Sequence, residues 1–101
     1  MKIDVITLFP EIIRSVLEYG ILNRAIDRQL LSVNLHQLRD FTNDRHQTVD
    51  DYPYGGGAGM VLKPEPIFAA VHALNPGSET RVIFLTPQGK RLTQRCVEAL
   101  S

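Results

Sequence analysis

The stretch Lys2-Ile3-Asp4-Val5-Ile6-Thr7-Leu8-Phe9-Pro10-Glu11 decides the architecture. Its first seven residues form a short apolar run rich in β-branched side chains, which reads as a buried strand. The run gives way at Phe9-Pro10. Proline suits the first turn of a helix, and Glu11 beside it complements the helix dipole. Ile12, Ile13, Val16 and Leu17 then share one face at helical spacing until Gly20 interrupts them. Ile21, Leu22, Ala25 and Ile26 repeat the pattern in a second helix that ends near Gln29. Beyond it, Leu31, Val33 and Leu35 alternate with Ser32, Asn34 and His36, the pattern of a second strand with one wetter face.

From Leu38 to Met60 the periodicity disappears, and an irregular stretch of about 20 residues inside a domain is commonly functional. Pro64 and Pro66 introduce a third helix with Ile67, Phe68, Val71 and Leu74 on its expected buried face, stopped by Asn75-Pro76-Gly77. Arg81 to Leu85 is the expected third strand, followed by the turn Thr86-Pro87-Gln88-Gly89. A last helix is expected from about Leu92, with Leu92, Cys96, Val97 and Leu100 inward. The order β-α-α-β-loop-α-β-α predicts an α/β fold with an open, mostly parallel sheet. Parallel strands need helices on both faces, so the expectation is the first part of a larger protein, or a chain that leans on a partner.

Composition narrows the function classes. The chain has 101 residues, of which 44% are hydrophobic and 22% charged, so one globular domain is expected and a disordered chain is excluded. No apolar run approaches the roughly 20 residues of a membrane span, and no membrane role is expected. Eleven basic residues balance eleven acidic ones, which excludes a domain that grips nucleic acid by bulk charge. The single cysteine, Cys96, has no partner for an intrachain disulfide. With no basic-then-apolar leader at the start, a cytoplasmic location is the expectation. Cys96 itself lacks an activating neighbour at nucleophile spacing and reads as a plain thiol.

Two segments carry possible chemistry. Tyr54-Gly55-Gly56-Gly57-Ala58-Gly59-Met60 holds four of the seven glycines, which admit positive φ and leave backbone N–H groups open to a ligand. Met60-Val61 stands where a phosphate loop needs Lys-Ser/Thr, and a dinucleotide fingerprint would need a strand immediately before it. A hinge without a ligand is the alternative. The approach to the glycines, Arg39 to Tyr52, sets Asp40, Asp44, Asp50 and Asp51 against Arg39 and Arg45, a net charge of minus two. Carboxylates repel phosphate but accept hydrogen bonds from base edges, and guanine offers such donors on its Watson–Crick edge. The His and Asp residues do not recur at a metal-binding spacing, and no metal is expected. A solvated loop held by its own Asp and Arg hydrogen bonds is the competing reading. Thr86-Pro87-Gln88-Gly89 follows a strand directly, the place where open α/β sheets take ligands. His36 and His72 have no companions and read as structural.

With these residues in view, the chain resembles the N-terminal part of the bacterial tRNA (guanine-N1)-methyltransferases of the TrmD type. The resemblance covers the whole chain. It is carried by Ile6-Thr7-Leu8-Phe9-Pro10-Glu11, Arg39-Asp40-Phe41-Thr42, Asp44-Arg45-His46 and Thr48-Val49-Asp50-Asp51. Pro53-Tyr54-Gly55-Gly56-Gly57, Gly59-Met60 and Leu85-Thr86-Pro87-Gln88-Gly89 complete it. Ordered strings of this length are far more specific than a lone glycine motif.

The resemblance implies transfer of a methyl group from S-adenosylmethionine to N1 of the guanosine just 3′ of the tRNA anticodon. It implies the trefoil-knotted SPOUT fold, an exception to the usual topology rules, and a homodimer with each active site shared between subunits. Residues 1–101 would form a single partial domain, the N-terminal part of the donor-binding domain, with the knot incomplete and the C-terminal tRNA-binding domain absent. Phe84, Leu85, Thr86, Pro87 and Gln88 would form one wall of the S-adenosylmethionine pocket. His46, Asp50, Gly59 and Met60 would lie near the target guanine and its neighbour. The general base of the family would lie beyond Ser101, so no catalytic residue is carried over; Arg45 and the amides of Gly55 to Gly59 are the candidates for stabilising charge on guanine O6. The other class left open is a non-catalytic α/β module that binds a small molecule or nucleotide.

Overall fold

The computed structural model of the chain describes residues 1–53, 55, 56 and 59–101. Strand β1 (Lys2–Thr7) is followed by helices α1 (Pro10–Leu17) and α2 (Gly20–Asp27) and by strand β2 (Ser32–Gln37). β1 and β2 pair in parallel, with Lys2 opposite Ser32 and Thr7 opposite Gln37. This is the expected α/β unit, with α1 packed on β2 and α2 on α1. Pro10 does stand in the first turn of α1. Gly20 (φ +71°) marks the break between the helices, as its freedom at positive φ allows. A 3₁₀ turn (Leu38–Phe41) then leads into the long loop, which contains a two-residue strand β3 (Asp50–Asp51) paired antiparallel with β4 (Val61–Leu62). Helix α3 (Pro64–Leu74) follows, ended as expected by Asn75 in the left-handed conformation, whose N–H donates to the carbonyls of Val71 and His72 at 3.1 and 3.2 Å.

Three expectations are corrected. Arg81 to Leu85 is not a strand, and its side chains are exposed. An apolar β-branched run supplies the propensity, but a strand exists only through a hydrogen-bonded neighbour, and among the described residues this segment has none. The sheet of β1 and β2 is therefore two-stranded. On α3, Phe68 is 72% exposed and the buried positions are Pro66 and Ala70. The small Ala70 side chain lets the 3₁₀ turn pack closely, which rotates the buried stripe away from the bulkier ring. The final helix α4 (Gln94–Leu100) starts two residues late because Thr93 caps it, its hydroxyl accepting from the Cys96 N–H at 3.2 Å. Leu92, Cys96 and Val97 are exposed rather than inward; Leu100 alone is half-buried. No described helix is long and apolar enough to cross a membrane.

The buried centre is small and specific. Leu38, Val49 and Ala70 are its fully buried members, and Ile6, Leu8, Phe41 and Ile67 pack against it. It joins the end of β1, the 3₁₀ turn, the loop and α3. The tightest packing thus lies beneath the loop.

Candidate functional site at the loop between β2 and α3

The loop is fastened at three levels. At its root, Gln37 turns its side chain both ways: Nε2 donates to the Leu8 carbonyl at 3.1 Å, while Oε1 accepts from the Arg39 N–H at 3.2 Å. The Arg39 guanidinium reaches the same Leu8 carbonyl at 3.2 Å. Next, Asp44 closes a turn, its carboxylate accepting from the Thr48 N–H at 2.9 Å and its carbonyl from the Gln47 N–H at 3.2 Å. Gln47 sits at φ +51°, the left-handed conformation this tight turn requires. The Thr48 hydroxyl and then its amide hold the Asp44 carboxyl below its usual pKa, and the Lys63 charge acts in the same direction. Beyond the turn, Val49 is 3% exposed, and its carbonyl accepts from the Lys63 N–H at 2.7 Å.

This scaffold fixes where the expected binding residues stand. Val49 plugs the core, so Asp50 emerges half-buried at the start of β3, opposite Leu62. Gly59 and Met60 immediately precede β4. Pairing of β3 with β4 sets Asp50 opposite Leu62 and Asp51 opposite Val61, while His46 is exposed on the turn that precedes β3. Arg45 is exposed beside it. Gly55, Gly56 and Gly59 have φ of +88°, +79° and +84°, and a side chain at any of the three would meet open space. Backbone conformation, not crowding, is what requires glycine here. The expected role of the amides from Gly55 to Gly59 includes Gly57 and Ala58, which lie outside the described residues, as does Tyr54.

The expected donor wall is separate. The turn after Leu85 is built as an internal hydrogen-bonded unit, with the Gly89 N–H donating to the Thr86 carbonyl at 3.1 Å and the Gln88 N–H to the Thr86 hydroxyl at 3.3 Å. A side chain at position 89 would press on the Thr86 carbonyl at 3.3 Å. Phe84 and Leu85 are 69% and 88% exposed. Two cavities among the described residues bear on this placement. One of about 190 Å³ lies between the Asp44–Thr48 turn and the start of α3, with Lys63 on its rim. The other, about 540 Å³, is an open groove over the amino-terminal half of the sheet. Neither is lined by any of Phe84, Leu85, Thr86, Pro87 or Gln88. Neither cavity is lined by His46, Asp50, Gly59 or Met60 either.

Sequence reading missed the fasteners Gln37, Arg39, Val49 and Lys63. For Val49 a signal existed, since it is the one aliphatic residue between Thr42 and Tyr52.

The whole chain, residues 1–101, matches the family described as tRNA (guanine-1)-methyltransferase TrmD. It is 55% identical over its full length to a tRNA (guanine-N(1)-)-methyltransferase of Crocosphaera subtropica and 50% identical to one of Staphylococcus epidermidis, covering 42% and 41% of those proteins. The crystal structure of a tRNA (m1G37) methyltransferase from Aquifex aeolicus superposes with a TM-score of 0.85 at 40% identity, over 99% of this chain and 45% of that one. The chain spans less than half the length of these relatives. Its α/β fold with a parallel β1–β2 pair is theirs, and the chain belongs to the TrmD-type tRNA (guanine-1)-methyltransferase family.

Proposed function

We propose that this chain serves S-adenosylmethionine-dependent methylation of guanine N1, at the guanosine immediately 3′ of the anticodon in tRNA. The observation that carries this reading is the loop from Arg39 to Tyr52, whose only fully buried side chain, Val49, is followed by the half-buried Asp50 on β3, in the strand pair that Gly59 and Met60 lead into. Family membership over the whole chain supports the same chemistry.

Guanine N1 carries a proton at neutral pH and becomes a nucleophile only as that proton leaves. The protein must hold the base in line, accept the proton and steady the charge that grows on O6. Asp50 suits recognition of the base next to the target, which sets the target's position. Its carboxylate makes no hydrogen bond to the described residues, so its oxygens are free to accept from the N1–H and exocyclic amine of the guanine that precedes the target. His46 lies on the turn before β3 and Gly59 and Met60 lie just before β4, and these three would contact the target and its neighbour. The Arg45 guanidinium, next to His46, is the candidate for O6. No residue of this chain is assigned as the base that takes the N1 proton.

S-adenosylmethionine, when bound, supplies an electrophilic methyl group on a sulfonium. Phe84 and Leu85 fit one wall of its pocket, because their apolar surfaces are uncovered beside a turn held by the Gln88 N–H on the Thr86 hydroxyl. We further propose that residues 1–101 act as the N-terminal portion of a cytoplasmic, homodimeric SPOUT enzyme, with each site completed across subunits. The exposed apolar side chains of Phe9, Ile12, Val16 and Ile83 support cover by other protein surface.

The experiment is transfer of labelled methyl from S-adenosylmethionine to tRNA by the full-length protein, with transcripts carrying guanosine or adenosine 3′ of the anticodon. Label confined to the guanosine transcript, with a reverse-transcription stop at that base, is the expected result. Calorimetric binding of a nucleotide without any tRNA-dependent transfer would favour the small-molecule module instead.

A further inference from the structure

The Leu8 carbonyl lies one residue beyond β1, at the carboxyl end of the parallel pair, and it receives two side-chain donors at once. Gln37 Nε2 and Arg39 Nη1 approach it at 3.1 and 3.2 Å, from positions 29 and 31 residues further along the chain. Both lone pairs of that oxygen are thereby used. The Leu8 side chain packs against the buried centre, so the acceptor is held from its other side too.

Arg39 is tied at three atoms. Its guanidinium grips Leu8, its N–H is capped by Gln37 Oε1, and its carbonyl accepts from the Thr42 hydroxyl at 2.9 Å. Among the described residues it has no carboxylate partner within salt-bridge distance, although Asp40 is its neighbour in sequence. Its charge is directed at a backbone carbonyl instead. A charged donor on a carbonyl is stronger than a neutral one, and the rigid guanidinium plane fixes direction as well as distance. Thr42 is the first residue of the loop, so the clamp passes directly into the segment that carries His46 and Asp50.

The other end of that segment is held by Val49 in the core and by the Lys63 N–H on the Val49 carbonyl, contacts that depend on where the clamp sets the start of the loop. A loop hung between two fixed points keeps its span only while both hold. The Val49 anchor sets how Asp50 faces the β3–β4 pair. The Leu8 clamp sets where the whole loop stands relative to the carboxyl edge of β1 and β2, the edge at which ligands of open α/β sheets bind.

We infer that Gln37 and Arg39 are positioning residues, which hold the His46–Asp50 loop in register with the sheet edge by sharing the Leu8 carbonyl. The inference rests on the reading that this loop faces the target base. It requires no contact between either side chain and the RNA.

The test uses the full-length protein and the variants Arg39→Ala, Arg39→Lys and Gln37→Ala. Amide exchange is followed at Thr48 and Lys63, whose N–H groups bond within the loop, and along the β1–β2 ladder as an internal reference. Single-turnover methylation of tRNA and the KM for S-adenosylmethionine are measured alongside. Arg39→Ala is expected to speed exchange at Thr48 and Lys63 and to lower the single-turnover rate by roughly tenfold, since a displacement of about 1 Å at a reacting group costs on the order of 100-fold. The β1–β2 amides and the donor KM stay at wild-type values. Arg39→Lys, which still offers one charged donor to the carbonyl, recovers most of both losses, and Gln37→Ala shows the smaller effect of losing a neutral donor.

Wild-type exchange at Thr48 and Lys63 in Arg39→Ala would overturn the inference. So would a loss in which ladder amides loosen as much as the loop, because that marks a general structural role. Should Arg39→Ala fail to fold, Gln37→Ala and Arg39→Lys decide on the same readouts. If the wild-type protein methylates no tRNA, the functional reading fails, while the exchange data still decide whether the clamp holds the loop.

Discussion

Asp50 combines two constraints in one residue. Its backbone pairs with Leu62 and its half-buried carboxylate remains free of hydrogen bonds to the described residues. Asp50→Ala is therefore expected to leave the loop in place and to weaken discrimination against tRNA that lacks the guanine before the target, by about 1–3 kcal/mol per lost base-edge contact. Competition between the two tRNAs measures it, and equal loss for both would assign Asp50 to holding the loop. Asp4 illustrates a different economy of charge. The His36 ring lies 3.0 Å from its carboxylate across the strand pair, and this hydrogen bond, helped by Asn34 and Lys2 against some desolvation, lowers the Asp4 pKa below 3.8. A lowered folded-state value means that protons bind the unfolded chain more readily. The stabilisation is thus complete well above 3.8 and is lost as pH falls through the folded value. In urea titrations, Asp4→Asn is expected to be less stable than wild type at neutral pH, with the gap closing in acid. A gap that persists unchanged below the folded value would contradict this.

At the scale of elements, the regular pieces were legible because their periodicity is a property of their own residues. β1, α1, α2, β2 and α3 all stand where alternation or helical spacing puts them. Arg81 to Leu85 differs because an apolar run announces a need for cover without naming the neighbour that provides it. β3 and β4 were invisible for another reason: two residues hold no period, and the Lys63 N–H that follows β4 bonds the carbonyl of the buried Val49, a contact no local pattern announces. Val49→Ala is expected to cost on the order of 2 kcal/mol, the usual penalty for removing buried methyl groups, and to expose the Lys63 amide. Exchange at Lys63 measures the second effect, and an unchanged rate would show that the loop does not depend on this plug. The cap on α4 carries a local forecast of the same kind. Thr93→Ala removes the acceptor for the Cys96 N–H and should cost about 1 kcal/mol of helix stability, read as faster exchange at Cys96. The expectation that Asp50, Gly59 and Met60 serve one site comes only from family likeness, since 8 residues separate Asp50 from Gly59 and no spacing rule joins them.

The whole molecule is open for its length. Its radius of gyration is 15.9 Å, against about 13 Å for a compact chain of this size. Few side chains are fully buried, while Ile12, Val16, Ile21, Phe68 and the Val82–Leu85 run are exposed. Apolar surface on this scale favours association. A polypeptide of residues 1–101 alone is expected to bind an environment-sensitive apolar dye and to show no tRNA methylation, because the function proposed above gives it one wall of a donor site and assigns it no base. Measurable turnover by a sample of verified mass would contradict that. On the proposed function, the Asp44–Met60 loop receives the RNA base while the Phe84–Gly89 turn receives the methyl donor. The most direct measurement is hydrogen exchange of the full-length protein with S-adenosylhomocysteine, then with tRNA added. The account predicts donor-dependent protection at residues 84–89 and tRNA-dependent protection at residues 44–60. Protection by both ligands confined to other segments would contradict it.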